Sequence, residues 1–305
     1  MNRITIVGAG RVGESTAQLL AVQELAREVV LLDVRDGAAR GAALDIQESA
    51  PLFGFDTQVT GGSDAAAMEG SDLVIVTAGR ARQPGTSRSD VLDANLAVVH
   101  VVVQDMLRHA PDALLLMVTN PVDVLTYHAW RQTGWERHRV FGLSGVLDAA
   151  RMASFVALES GFSSRDITAM VLGGHGDAMV PLPRYTCVNG IPLECFLPQE
   201  AIERIVARTR QGGAEILALK QTGSANDSPA AAIATMVDAV AHDRRRLLPC
   251  VCLLDGEYGQ RDIAMGVPVV LARKGVERVV ELPLTAAEAD EFGRSAAGVR
   301  ADLER

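Results

Sequence analysis

The segment Gly8-Ala9-Gly10-Arg11-Val12-Gly13 constrains this chain more than any other, because it lies between a short apolar run, Arg3–Val7, and a helical pattern that opens at Arg11. Each glycine has a physical purpose in that setting. The first allows a tight turn, the second lets backbone approach a pyrophosphate, and the third lets helix and strand pack closely. The start of the following helix then offers free N–H groups and a partial positive charge to phosphates. Three glycines alone are a weak signal; the strand before them and the helix after them make a dinucleotide fingerprint. Asp33 ends the next apolar run, 20 residues past Gly13. A carboxylate there accepts hydrogen bonds from the ribose hydroxyls of NAD and repels the 2′-phosphate of NADP. Arg35 is a nearby cation that would suit a phosphate, so NAD is the expected cofactor with some allowance for NADP. The bland alternative is a glycine-rich turn with no ligand.

The rest of the first half repeats the pattern. Strands are expected at residues 3–7, 28–33, 72–77, 113–119 and 139–142, with helices at 11–25, 37–49, 91–109 and 122–132 between them. Such alternation builds parallel strands with right-handed crossovers. Leu73-Val74-Ile75-Val76 is apolar on both faces, as a strand covered by helices on both sides must be. After about residue 145 the order changes: a helix at 147–160, a strand at 167–172, then a hairpin of 184–188 and 191–195 turning at Asn189-Gly190. Asn-Gly supplies the positive φ angles that a two-residue turn needs. Helices at 199–220 and 228–241, strands near 248–253, 267–271 and 279–282, and a charged helix at 286–303 complete the pattern. The fold class is therefore α/β: a doubly wound parallel sheet of the Rossmann type over residues 1–143, followed by an α+β substrate domain over 144–305, the two packed closely with a cleft between them.

Composition excludes several functions. Net charge is −9 with no basic block, which argues against nucleic acid as a partner. No apolar run approaches the ~18 residues of a membrane span, and the first strand begins with no signal-peptide layout before it. Cys187, Cys195, Cys250 and Cys252 lack the spacing of a zinc or redox motif. Cys250 and Cys252 are expected to be buried on opposite faces of a strand, reduced, in a cytoplasmic protein.

Four further segments carry the chemistry. They are Thr77-Ala78-Gly79-Arg80-Ala81-Arg82-Gln83-Pro84-Gly85-Thr86-Ser87-Arg88, Thr119-Asn120-Pro121-Val122-Asp123, Gly142-Leu143-Ser144-Gly145-Val146-Leu147-Asp148-Ala149-Ala150-Arg151, and Gly173-Gly174-His175-Gly176-Asp177. With the glycine motif they resemble the lactate/malate dehydrogenase family, in the family's order and at similar spacing from residue 4 to about residue 270. The match is nearest to its branch of lactate-dehydrogenase-like malate dehydrogenases. The resemblance implies NAD-dependent interconversion of malate and oxaloacetate, with no metal, in a homodimer or homotetramer. The rival readings are a lactate or other 2-hydroxyacid dehydrogenase and, from another class, a non-catalytic dinucleotide-binding protein.

The residues support physical roles as well. His175 stands among small residues that would let a substrate reach its ring, and histidine has the pKa that ketone reduction needs in a proton donor. The resemblance assigns Asp148 to orient and charge-balance His175, against the plainer reading of a helix N-terminal charge. It gives Arg151, three residues along the same helix face, the role of a bidentate clamp on the substrate's C1 carboxylate, a task that suits a guanidinium fork; the alternative is an Asp148–Arg151 surface pair. Arg88 lies on a segment with Gly79, Pro84 and Gly85 that reads as a closing loop, and the resemblance implies that it polarises the ketone. Arg82 falls where lactate dehydrogenases of the family carry glutamine and malate dehydrogenases carry arginine. A second buried cation requires a second carboxylate, which oxaloacetate has and pyruvate lacks. Arg80 is a neighbouring cation whose role could be confused with it. Asn120, at the carboxyl edge of its strand, would bond the nicotinamide region and the substrate hydroxyl, the structural alternative being a turn-forming Asn before Pro121; the resemblance places Asn95, as a cofactor-binding residue, on the same side. One departure from the family's pattern follows Gly223-Ser224, where Ala225-Asn226-Asp227 replaces alanine and two aromatics. Asp227 is expected to point away from a dicarboxylate.

Overall fold

The computed structural model describes residues 1–80, 88–221 and 224–304, with Arg88 and Ser89 described by backbone alone. Six parallel strands form the first half: β1 (Arg3–Val7), β2 (Glu28–Leu32), β3 (Gln58–Gly62), β4 (Leu73–Val76), β5 (Leu114–Met117) and β6 (Val140–Gly142), ordered β3-β2-β1-β4-β5-β6. The order reverses between β1 and β4, the point at which open α/β sheets bind ligands. Helices α1 (Arg11–Val22), α2 (Asp36–Glu48), α3 (Ala50–Phe53), α4 (Arg88–His109) and α5 (Val122–Thr133) make the connections. Every residue of β4 and β5 is buried, so the sheet is covered on both faces as their unbroken apolar runs require. β3 was not anticipated from the sequence. It is an edge strand containing two glycines, with too weak an apolar pattern to read.

The second half begins with α6 (Gly145–Ser160), followed by the short strands β7 (Ile167–Thr168), β8 (Val171–Leu172), β9 (Val180–Pro181), β10 (Cys187–Val188) and β11 (Ile191–Pro192). Then come α7 (Gln199–Lys220), α8 (Asp227–Ala241), β12 (Arg246–Asp255), β13 (Arg261–Ala272), β14 (Gly275–Val279) and α9 (Ala286–Leu303). Four expectations need correction. The strand at 167–172 is two strands, because Ile167–Thr168 pairs with β10 while Val171–Leu172 pairs with β9. The hairpin does turn at Asn189 and Gly190, both at positive φ, but its strands are two residues long. Pro183 opens a 3-10 turn, and Pro192 cannot donate to a ladder. The last strand lies at 275–279 rather than 279–282, because Gly275, at φ +94°, reverses the chain after Ala272. Cys250 and Cys252 are both buried, but on the same face of β12, since residues two apart on a strand point the same way.

The two halves share one sheet. β12 pairs antiparallel with β6 through Val251 and Gly142, so β14-β13-β12 extends the parallel sheet to nine strands. One apolar core runs from Ile4 and Ile6 of β1 through Ile233 and Val237 of α8 to Phe292 and Val299 of α9. A smaller core under α6 and α7 gathers Met152, Val156, Val188 and Ile202. Among the described residues no helix is long and apolar enough to cross a membrane.

Candidate active site

The cofactor end of the site is built on the β1–α1 turn. Gly8 sits at φ +110°, and a Cβ there would lie 2.6 Å from the Ala78 backbone nitrogen. A Cβ on Gly13 would lie 1.9 Å from the Gly8 carbonyl oxygen, so this glycine is what allows α1 to close on β1. Gly10 differs: it is exposed and a Cβ there would meet nothing within 4 Å. The fold itself does not require it, and the open space beside it suits a pyrophosphate. No side chain caps α1 at Gly10, so its first-turn N–H groups remain for phosphate oxygens. Asp33 follows β2 and accepts the Ala9 N–H at 3.0 Å through Oδ2, and the Arg35 N–H at 2.9 Å and Nε–H at 3.3 Å through Oδ1. An ionised carboxylate has about four acceptor sites, which leaves capacity for a ribose hydroxyl. The donors and acceptors present thus fit NAD.

The chemical end is assembled from two separate parts of the chain. α6 carries Asp148 and Arg151 on one face, and the segment after β8 carries His175. Asp148 is 2 % exposed at its side chain; its Oδ2 lies 2.8 Å from His175 Nδ1 and its Oδ1 accepts from Arg151 Nη1 at 3.0 Å. The Asp148–Arg151 pair therefore exists, but in the interior and shared with histidine rather than at the surface. Arg151 Nε is buried with no partner among the described residues, an unfilled donor suited to a ligand carboxylate. Burial alone would push the His175 imidazole down; the charge and hydrogen bond of Asp148 outweigh it, with Asp123 adding to them, and hold it above its ordinary value.

Asn120 stands at the end of β5, before a cis bond to Pro121, with its side chain exposed and its carbonyl accepting from Asn95 Nδ2 at 2.7 Å. Asn95 is 1 % exposed. Its Oδ1 accepts the Arg80 N–H at 2.7 Å and its Nδ2 also donates to the Arg80 carbonyl at 3.2 Å. Its side chain thus bonds backbone on both sides, holding the strand ends after β4 and β5 together. The nearby Thr119 Oγ1 donates to the Ala78 carbonyl at 2.7 Å in the same brace. Arg82 lies outside the described residues, and so does the side chain of Arg88, whose backbone opens α4. Asp227 is exposed and accepts from Asn226 Nδ2 at 2.7 Å, while Asn226 Oδ1 accepts from Lys220; neither bonds to the His175 cluster.

Asp123 lies in the Thr119–Asp123 motif, but no role for it is legible from the sequence. It is buried in the first turn of α5, and its Oδ2 accepts the His175 backbone N–H at 2.8 Å. Desolvation raises its carboxyl to about 6. The available signal was a lone carboxylate in the apolar stretch Val122-Asp123-Val124-Leu125. Clefts of about 430 Å³ beside Arg137 and His138, and about 590 Å³ beside Asn2 and Arg27, share no residue with this cluster.

Comparison with known proteins adds lineage to geometry. Residues 2–142 match the lactate/malate dehydrogenase NAD binding domain, and residues 145–305 match the lactate/malate dehydrogenase alpha/beta C-terminal domain. A malate dehydrogenase of Thioalkalivibrio sulfidiphilus is 67% identical over 305 residues, covering 100% of this chain and 99% of that protein. The structure of a malate dehydrogenase from Salinibacter ruber superposes with a TM-score of 0.95 at 45% identity, covering 99% of this chain and 96% of that one. A lactate dehydrogenase of Cryptosporidium parvum, solved with lactic acid and nicotinamide adenine dinucleotide, reaches a TM-score of 0.96 at 36% identity, covering 99% of this chain and 97% of that one. Backbone shape therefore does not separate the two activities.

Proposed function

The chain belongs to the lactate/malate dehydrogenase family and interconverts malate and oxaloacetate with NAD, and we propose that it does so by proton exchange at His175 with the diacid held between two arginines. Residues 1–143 bind the nucleotide and residues 144–305 supply most of the substrate site. When bound, NAD takes up the hydride from C2 of malate or, as NADH, returns it. Gly8, Gly10 and Gly13 shape the phosphate cradle, and Asp33 receives the ribose.

The observation that carries this reading is the buried His175–Asp148–Arg151 chain. In the reductive direction protonated His175 gives its proton from Nε2 to the substrate's C2 oxygen. Asp148 fixes the tautomer by taking the Nδ1 proton in hydrogen bond and stabilises the imidazolium. Arg151 turns its unfilled Nε–H toward the C1 carboxylate. Arg88 stabilises the charge growing on the C2 oxygen, and Asn120 orients the hydroxyl beside the nicotinamide. Arg82 holds the far carboxylate, a role that rests on its place in the motif. In malate oxidation neutral His175 accepts the proton. The chain works in the cytoplasm as a homodimer or homotetramer; exposed Leu44, Leu52 and Phe53 on α2 and α3 support such assembly.

The deciding experiment compares NADH oxidation with oxaloacetate and with pyruvate in the wild type and Arg82→Gln. The variant leaves one carboxylate of oxaloacetate unheld, so its preference moves toward pyruvate by roughly 10–100-fold, the worth of a charge-assisted pair. An unchanged ratio would remove Arg82 from the mechanism.

A further inference from the structure

His175 projects from a segment with little stiffness of its own. Gly173 and Gly176 lie at φ +88° and +116°, where only glycine is at ease, and Gly174 stands between them. A catalytic ring has to be held within ~0.5 Å of its working place by its supports. The Asp148 bond fixes the imidazole at Nδ1, but it does not fix the backbone that carries the ring. Three contacts do that. Gly173 pairs with Gly266 of β13, its N–H donating at 2.8 Å. The Gly174 N–H donates to Ser295 Oγ of α9 at 2.8 Å. The His175 N–H donates to Asp123 Oδ2 at 2.8 Å.

Of these, Asp123 is the one that reaches the histidine itself, and it comes from the element that starts with the Asn120-Pro121 bond. We propose that Asp123 is a positioning residue of the reaction: by accepting the His175 amide hydrogen it fixes the backbone from which the imidazole projects, and so holds the proton donor in register with Asn120 three residues upstream. The inference rests on the reading of His175 as proton donor and acceptor. Asp123 Oδ1 has no partner among the described residues, so the site uses one acceptor atom and not the whole carboxylate. Burial already brings the carboxyl to about 6, and a neutral amide oxygen in the same place would accept the same N–H.

The test uses Asp123→Ala, Asp123→Leu and Asp123→Asn. The leucine variant removes the acceptor while filling its volume, so it remains informative if the alanine variant fails to fold. We measure kcat and KM for malate oxidation on the pH plateau of each variant, and NADH affinity by nucleotide fluorescence. The expected result is a loss of kcat of roughly 10–100-fold in Ala and Leu, the worth of one hydrogen bond to a carboxylate, with most of it recovered in Asn. KM and NADH affinity are expected to stay within about 2-fold of wild type, since the cofactor cradle is elsewhere. A kcat near wild type in Leu, an Asn variant as slow as Leu, or NADH affinity falling in step with kcat would each overturn the proposal. His175→Asn is the control. If it keeps turnover, the reading of the site has failed; if it is inactive while Asp123→Leu is normal, only this inference has.

Discussion

Asp148 serves two partners from one carboxylate, His175 through Oδ2 and Arg151 through Oδ1. Its effect on His175 has a sign that can be tested. Malate oxidation needs neutral imidazole, so its rate climbs with pH through the His175 pKa. In the wild type burial pulls that value down and Asp148 pulls it up harder, which moves the climb upward from the ordinary histidine value. Asp148→Asn removes the upward pull and leaves the burial. The climb should therefore move to lower pH, while kcat falls by roughly 10²–10⁴-fold because the tautomer is no longer fixed. A pH–rate profile of the two proteins reads both effects, and a climb that does not move would mean that another group titrates. Asn95 shows the opposite case at this scale. The resemblance places it on the same side of the site, and its amide bonds the backbone of Arg80 and Asn120.

At the scale of elements, the β1–α1 turn separates what glycine does for the fold from what it does for the ligand. Gly13 is needed for α1 to pack on β1, and Gly10 is not. Gly13→Ala should cost roughly 3 kcal/mol or more of stability, because a backbone oxygen at 1.9 Å cannot yield as a side chain would. Gly10→Ala should cost about 1 kcal/mol or less, the difference between glycine and alanine at a helix N-cap. Its NADH affinity should nevertheless drop by roughly 10-fold or more, since the new methyl occupies space that backbone left open for phosphate. Thermal melts and NADH titrations of the two variants distinguish these outcomes; a stable, tightly binding Gly10→Ala protein would move the pyrophosphate elsewhere. The element lengths tell a related story. Residues 199–220 and 286–303 are helical as their patterns predict, whereas the strand at 167–172 divides. A helix satisfies its own backbone within the segment, but a strand exists only where a partner lies beside it.

At the scale of the whole molecule, the halves are joined by a shared sheet and a shared apolar core. Gly142 of β6 faces Val251 of β12, and a Cβ on it would lie 2.7 Å from Thr126 Oγ1 and 3.1 Å from Val251 Cβ, so the seam is as tight as the rest of the core. Residues 1–143 and 144–305 expressed apart should each fail to fold, and the full chain should melt in one calorimetric transition whose van't Hoff and calorimetric enthalpies agree. Two separable transitions would show that the seam is weaker than its packing. Light scattering of the full chain is expected to give two or four times 32.4 kDa; a monomer would leave Leu52 and Phe53 exposed without a partner.

The sequence alone indicated five of the six parallel strands, the glycine turn and a carboxylate at Asp33 placed for a ribose, and its motifs carried the family resemblance that points to His175, Asp148 and Arg151. Each of these is written in short-range pattern: periodicity, glycine spacing, and motifs a few residues long. Tertiary structure alone decided that β12 closes on β6, that Asn95 braces backbone, and that Asp123 reaches the amide of a histidine 52 residues away. Those pairings depend on which distant surfaces meet when the core excludes water, and no local pattern in the chain encodes which carboxylate will lie beneath which loop.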